Sequence, residues 1–470
     1  MALTKILFVF LFLPASILLY RLIPEKFRNA LLLLLSVIFI AWGNPADVVL
    51  ISLSIVFNYF TALELDGLRR QDSRAAKGFV LFTGVAANIA MLLFFKYFIF
   101  LMNNVGAIAG FSFHFTVPRA PIGISFFTFS AISCLCDVSK GDGDALKNPV
   151  DFALYIAFFG KITSGPIVKF REMAEQIRSR EMTVDSVENG LRLFITGLAK
   201  KVIIAGSLSS LFDAAKGVQL GSMSVLTAWL GALAYSLMLY FDFSGYSDMA
   251  IGLGRIFGFS FAKNFDHPYA SVSMTDFWRR WHISLGAWFR DYVYIPLGGS
   301  RVSRGRNIFN LSVVWVLTGL WHGANWTFAV WGLYHLALLL LEKFVLKDAL
   351  AKIPVIGRQV ITFLLAVIGW TIFFSDNIAY AAGYLLRMCG IGGSGLVDRS
   401  GLYFLCGGWA IIAIAIVGAT PLLSNIGGKI AKKDGAFIQI ITTVFLALLL
   451  LGSTAFMISD TVSSFLYAQF

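Results

Sequence analysis

The chain has 470 residues, of which 58% are hydrophobic and only 14% charged. Its mean hydropathy of +0.78 excludes a soluble globular body, because such a body must face water with polar side chains and carries about 25% charged residues. The formal charge of +12 does not point to nucleic acid, because the basic residues fall in short segments between apolar runs, where cytosolic loop charge belongs.

A membrane helix needs about 20 mostly apolar residues. In chain order the candidate spans are 3–20, 30–42, 48–65, 79–102, 121–136, 152–167, 191–208, 223–241, 311–320, 326–341, 360–374, 402–417 and 437–457. The shorter ones extend into polar flanks, tilt, or re-enter without crossing. The first has no basic leader beyond Lys5 and no small-x-small cleavage site, so it reads as retained. No long polar linker divides the chain, which reads as one membrane domain over 1–470.

Charge sets the expected orientation. Arg21, Lys26 and Arg28 follow the first span, 44–47 holds no basic residue, and Arg69, Arg70, Arg74 and Lys77 follow the third. Alternation places the basic loops in the cytosol and both termini outside. The cysteines, Cys134, Cys136, Cys389 and Cys406, lack zinc spacing and read as buried small apolar residues.

The segment 242–310 differs from the rest. It mixes many Asp, Arg and His residues with Phe, Tyr, Trp and Gly between flanking spans. Such a segment suits interfacial or re-entrant helices around a protein cavity, where ionisable groups are functional candidates. Within it, 277–285 reads Phe-Trp-Arg-Arg-Trp-His-Ile-Ser-Leu. If helical, it groups Trp278, Trp281, His282 and Leu285 at three- and four-residue spacings, with Arg279 to one side for an anion. His282 is then either a structural histidine or an aid to substrate binding and proton transfer. Asp291, beside Arg290, joins the candidate substrate-binding residues.

The segment 318–326, Thr-Gly-Leu-Trp-His-Gly-Ala-Asn-Trp, sets His322 between two apolar runs. A neutral imidazole is tolerated at that depth and exchanges protons near neutrality, which makes His322 a candidate general base. The bland alternative is a helix-break residue bonded to a carbonyl. Trp321 flanks it, and Asn325 could orient an imidazole or a polar substrate group. His335, 13 residues further on, is not expected to share a face with His322, and His114 and His267 read as structural. No serine-nucleophile elbow, phosphate-binding loop or dinucleotide fingerprint occurs. Arg279, Arg280, Arg290, Arg301, Arg304 and Arg306 gather near the expected cytosolic mouth. They would hold a phosphate-bearing donor or simply lipid headgroups. From the residues alone, an enzyme, a transporter of a lipid-linked sugar and a scaffold all stand.

Several stretches resemble one family. They are PIGISFFTF at 121–129, GPIVKF at 165–170, YFDFSGYSDMAIGLGRIFGF at 240–259, FWRRWHISLGAWFRDYVYIPLGG at 277–299, LTGLWHGANW at 317–326 and the ending SSFLYAQF. The chain resembles the membrane-bound O-acyltransferases, in the branch of the alginate and peptidoglycan O-acetylases and the teichoic acid D-alanyl transferase. The resemblance covers nearly the whole chain. It implies an all-α polytopic membrane protein, a ring of tilted transmembrane helices with re-entrant helices around a thin centre and a tunnel. It matches His322 to the family's nearly universal histidine and His282 to its second, with 240–341 as the catalytic core. It further implies no tightly bound cofactor, with acetyl-CoA or another acyl thioester as donor from the cytosol. An acyl-carrier protein, an extracytoplasmic acyltransferase- or esterase-like protein and membrane lipids are the implied partners, in a bacterial inner membrane. Gly160-Lys161, ahead of the GPI stretch, departs from the Pro-Gln of the family pattern. The expected reaction has neutral His322 take a proton from the acceptor hydroxyl, while His282, Asn325 or a backbone N–H donates to the oxyanion. Transient acylation of a side chain is the alternative.

Overall fold

The computed structural model describes residues 2–111, 115, 118–431 and 435–459, so His114 and the ending at 463–470 lie outside the described residues. All regular structure among them is helical. Eight of these helices are long and apolar enough to cross a membrane, so the chain is a polytopic membrane protein. Its contacts divide it into two compact units, Met1–Phe194 with Ser247–Ala262, and Ile195–Tyr246 with Lys263–Phe470.

The first unit holds α1 (Leu13–Leu22), α2 (Arg28–Gly43), α3 (Pro45–Arg70), α4 (Arg74–Ala109), α5 (Ile124–Lys140), α6 (Pro149–Ala157) and α7 (Phe170–Arg178). Its helix starts are written locally. Asn44 Oδ1 accepts Ala46 N–H at 3.2 Å and Asn148 Oδ1 accepts Val150 N–H at 2.9 Å, each ahead of a proline whose missing N–H costs nothing there. Between α3 and α4, Asn58 and Asn88 exchange amide hydrogen bonds of 3.2 and 2.7 Å, the polar contact that ties helices together where lipid supplies no hydrophobic drive.

The single span expected over 152–167 is two things. α6 ends at Ala157, and the chain then turns, with Phe158 O accepting from Lys161 N and Ile162 N at 3.0 Å each. The turn buries Lys161, whose Nζ donates to Ser130 Oγ at 3.1 Å above the Tyr155 ring.

The second unit begins within α8 (Val184–Ala199) and continues through a π-helical segment, Lys200–Ala205, and α9 (Gly206–Lys216). It takes most of α10 (Val225–Ile256), then α11 (Met274–Arg280), α12 (Ile283–Phe289), α13 (Arg304–His322) and α14 (Trp326–Phe344). The short α15 (Lys347–Ala351), α16 (Val355–Phe374), α17 (Ile378–Met388), α18 (Arg399–Ala419), α19 (Leu422–Ala431) and α20 (Ala436–Ile458) follow. In α10 the most apolar window is 78% buried in protein, against 6% in α20. α10 is thus a core helix and α20 faces lipid. The π-helical segment brings Lys201 to Asp242 of α10, a buried ion pair. Gly245 permits that approach, since a Cβ there would meet Gly197 O at 2.6 Å. The 311–320 stretch, too short to span alone, is the middle of the 19-residue α13. The cysteine expectation is corrected in part. Cys134 is buried, Cys136 is half-buried, and Cys389 and Cys406 are exposed, as side chains on lipid-facing helices and loops can be when the solvent is apolar.

Candidate active site

The candidate residues meet in the second unit, on α10–α14 and α16. The sequence suggests one helix through 277–285, but α11 stops at Arg280 and α12 starts at Ile283. α11 is anchored at its start, where Ser273 Oγ accepts Asp276 N–H at 3.0 Å and the Glu342 carboxylate accepts Met274 N–H at 2.8 Å. An anion at a helix N-terminus opposes the positive end of its dipole. Between the two helices His282 sits at φ 45°, ψ 56°, a left-handed conformation that costs a non-glycine residue about 1–3 kcal/mol and persists only where the surroundings over-determine it.

Asn264 supplies that over-determination. Its backbone carbonyl accepts Ile283 N–H at 2.9 Å. Its side-chain oxygen accepts Ser284 N–H at 3.1 Å and Ser284 Oγ–H at 2.9 Å, and stands 3.2 Å from His282 Nδ1. An atom that accepts a backbone N–H is an oxygen, so His282 Nδ1 carries the proton in the neutral ring. The lone pair then falls on Nε2, which is buried and has no hydrogen-bond partner among the described residues. Phe243 packs edge-on to this ring at 4.7 Å.

His322 is held differently. It is the last residue of α13 and is buried at 3% exposure. Trp321, Trp331 and Phe373 lie edge-on around its ring at 4.8, 4.9 and 5.0 Å. α13 and α14 approach closely because a Cβ on Gly332 would lie 2.6 Å from Trp315 O, and one on Gly319 2.5 Å from Phe328 O. This is small-residue packing of a helix pair, which lets backbones touch. His335 comes close after all. The two histidines share no helix face, but they pack on the same indole, Trp331, at 4.9 and 4.8 Å. Trp321 likewise touches both candidate histidines, at 5.9 Å from His282 and 4.8 Å from His322.

Two adjoining cavities reach this cluster. The narrower, about 160 Å³, is lined by Trp278, Trp281, His282, Leu285 and Thr318 among others. The wider, about 1100 Å³, shares Trp278, Arg290 and Trp315 with it, and adds Arg279, Lys343, Lys347, Arg358 and Glu342. Cations thus line the broad opening and aromatic rings the narrow end. His322 is not in either wall. It follows Thr318 of the narrow cavity by one helical turn and packs against Trp321.

The remaining candidates separate. Arg279 faces the wide cavity, whereas Arg280 pairs with Asp276 at 2.9 Å and donates to Asp266 O at 3.4 Å, bracing the loop instead. Asp291 is buried and paired with Arg290 at 2.8 Å. The Asn325 amide is committed to structure, because its oxygen caps α14 at Thr327 N, 3.1 Å, and its nitrogen donates to Asp376 O at 2.9 Å. Of the other histidines, His267 bonds Asp266 Oδ1 and Ser424 Oγ at 3.2 Å each. Sequence reasoning missed Asn264, which carries no local signature. Nor did it single out Lys343 or Arg358, which lie near the ends of apolar helices.

The membrane-bound O-acyltransferase family model matches residues 144–384. A probable alginate O-acetylase of Pseudomonas putida is 38% identical over 98% of this chain and 99% of its own length. Its counterpart in Pseudomonas aeruginosa is 44% identical over 80% of this chain and 72% of its own. A peptidoglycan O-acetyltransferase of Helicobacter pylori is 36% identical over 84% and 81%. Teichoic acid D-alanyltransferases are more distant relatives. A helical membrane body, a buried histidine in the wall of a cavity that adjoins a cation-lined one, and these matches agree: the chain belongs to the membrane-bound O-acyltransferase family and is an O-acyltransferase.

Proposed function

We propose that the chain moves an acetyl group from a cytosolic thioester to a hydroxyl on the far side of the membrane. The acceptor is an alginate-like cell-envelope polysaccharide or an extracytoplasmic partner protein that completes the transfer. The observation that carries this reading is the pair of adjoining cavities. Five cationic side chains, Arg279, Arg290, Lys343, Lys347 and Arg358, stand at the wide end, and His282 stands at the narrow end. Guanidinium and ammonium groups suit the phosphates of a coenzyme A or carrier-bound pantetheine arm. The apolar narrow end suits its acyl thioester. The positive-inside pattern supports a cytosolic mouth and termini outside.

The chemistry follows from the two imidazoles. The acceptor oxygen attacks the thioester carbonyl, its proton passes to an imidazole nitrogen, and the thiolate leaves. His322 is the proposed base. In its neutral form an imidazole accepts a proton. His282, with its proton on Nδ1, presents a lone pair at Nε2. In the neutral state it takes a proton or orients a hydroxyl, and it does not donate to an oxyanion. With the Asn325 amide also committed, oxyanion stabilisation falls to other donors. The alginate-type acceptor is preferred because the chain matches a probable alginate O-acetylase over almost its full length.

The test is a labelled acetyl thioester supplied to one face of vesicles holding the purified chain. Label appearing on an added polysaccharide or partner at the opposite face supports the proposal. Transport of a lipid-linked sugar with no transfer of label would overturn it, and D-alanyl incorporation in place of acetyl would change the group moved.

A further inference from the structure

A second charged cleft lies in the first unit, and none of the residues proposed above for acyl transfer line it. It has a volume of about 470 Å³ and is formed where α1 ends, α2 begins and the chain leaves α7. Four cations line it, Lys26, Arg28, Arg178 and Arg180, together with three acids, Glu25, Asp151 and Glu181. Their pairing is incomplete. Arg28 bonds Glu25 at 2.8 Å, but Arg180 donates only to neutral oxygens among its hydrogen bonds, namely Phe257 O, Gln176 O, Ile177 O and Asn29 Oδ1. Arg178 donates to Asp144 O at 3.3 Å. Among the described residues neither guanidinium has a carboxylate at ion-pair distance. Arg180 is nonetheless drawn in from solvent, over the rings of Phe259 at 4.2 Å and Tyr20 at 5.9 Å. A partly desolvated guanidinium with no carboxylate at ion-pair distance favours an anion, and its planar fork matches a phosphate. Asp151, held by Asn29 Nδ2 at 2.7 Å, offers an acceptor in the same cleft.

The flank of the cleft is apolar and open. Leu18, Leu19 and Leu22 of α1 are 59, 47 and 72% exposed, and Phe27 beside the cleft is 48% exposed. Such side chains belong against acyl chains. Phosphate-seeking arginines, carboxylates for an amine, and an exposed apolar flank call for one molecule with all three complements.

We propose that this cleft binds a membrane phospholipid whose headgroup carries both a phosphate and a primary ammonium, the phosphate at Arg178 and Arg180, the ammonium at Asp151 and Glu181. The acyl chains lie along α1. A choline headgroup cannot donate hydrogen bonds to the carboxylates, and a glycerol headgroup brings no cation to them.

The test uses the whole chain in nanodiscs of equal parts phosphatidylethanolamine, phosphatidylcholine and phosphatidylglycerol, followed by gentle extraction and native mass spectrometry. The parent protein is expected to retain one phosphatidylethanolamine about tenfold over the other two, a preference worth about 1.4 kcal/mol. Arg180→Gln is expected to lose that lipid. Arg178→Gln, whose parent side chain makes one backbone contact at an exposed site, weakens retention without endangering the fold, and decides the matter if Arg180→Gln misfolds. Asp151→Asn is expected to keep a phospholipid but lose the preference for ethanolamine over choline. Retention of phosphatidylglycerol equal to phosphatidylethanolamine, or undiminished retention by folded arginine variants, overturns the proposal. Displacement of the lipid by excess inorganic phosphate would make this a free-anion site instead and equally overturn it.

Discussion

The two histidines of the second unit are buried to nearly the same degree, 2% for His282 and 3% for His322, yet the fold holds them by opposite means. His322 closes a regular helix and is boxed by aromatic rings on α13, α14 and α16. His282 sits in a helix break, in a left-handed backbone, with Nδ1 and the next residues fixed by one asparagine. The contrast therefore separates a ring seated among aromatic neighbours from one whose neutral tautomer an asparagine oxygen sets.

The largest effect is expected from removing the packed imidazole. His322→Ala should insert and fold but lose about 10²–10⁴ in acetyl transfer, the span of a general base. Label transfer in vesicles by a folded variant at near-parental rate would remove His322 from the mechanism. Next, Asn264→Ala leaves Ser284 N–H and the His282 ring without their acceptor. It is expected to cut transfer about tenfold to a hundredfold, as loss of an outer-shell partner does elsewhere. Asn264→Asp retains an acceptor and should recover part of that loss. If both variants fall equally, the tautomer argument fails.

Gly332→Ala probes the box from behind. A methyl 2.6 Å from Trp315 O must push α13 and α14 apart, at about 1–3 kcal/mol. Thermal unfolding in detergent should fall, and transfer with it if the aromatic box positions His322. The smallest expected effect distinguishes the adjacent arginines. Arg279→Ala should raise KM for the thioester about tenfold with kcat little changed, the mark of lost ground-state binding. Arg280→Ala should instead cost about 1 kcal/mol of stability through its Asp276 pair. Steady-state kinetics beside melting curves check both, and reversed results would swap their assignments.

Much of this was legible beforehand. Apolar length and the rhythm of basic loops imply a polytopic helical protein, since only helices and closed barrels satisfy their backbone in lipid. His322 stood out because an ionisable ring between two apolar runs is costly without a purpose. Less legible was the break at His282. Residues 277–285 contain no glycine or proline to stop a helix except Gly286 just beyond, and the stop comes from Asn264, 18 positions earlier. The expected orienting role of Asn325 failed to foresee a capping geometry, although Asn ahead of a helix is a common cap.

Sequence by itself determined the solvent this chain folds in and its all-helical, polytopic character, and it marked His322 and His282 as candidates, because hydrophobic pattern and charge cost are local properties of the residues. Only the tertiary structure decided which arginine faces a cavity, which histidine nitrogen holds its proton and which indole links His322 to His335. Those depend on partners distant along the chain, and a hydrogen bond or a ring contact exists only when folding brings both halves together.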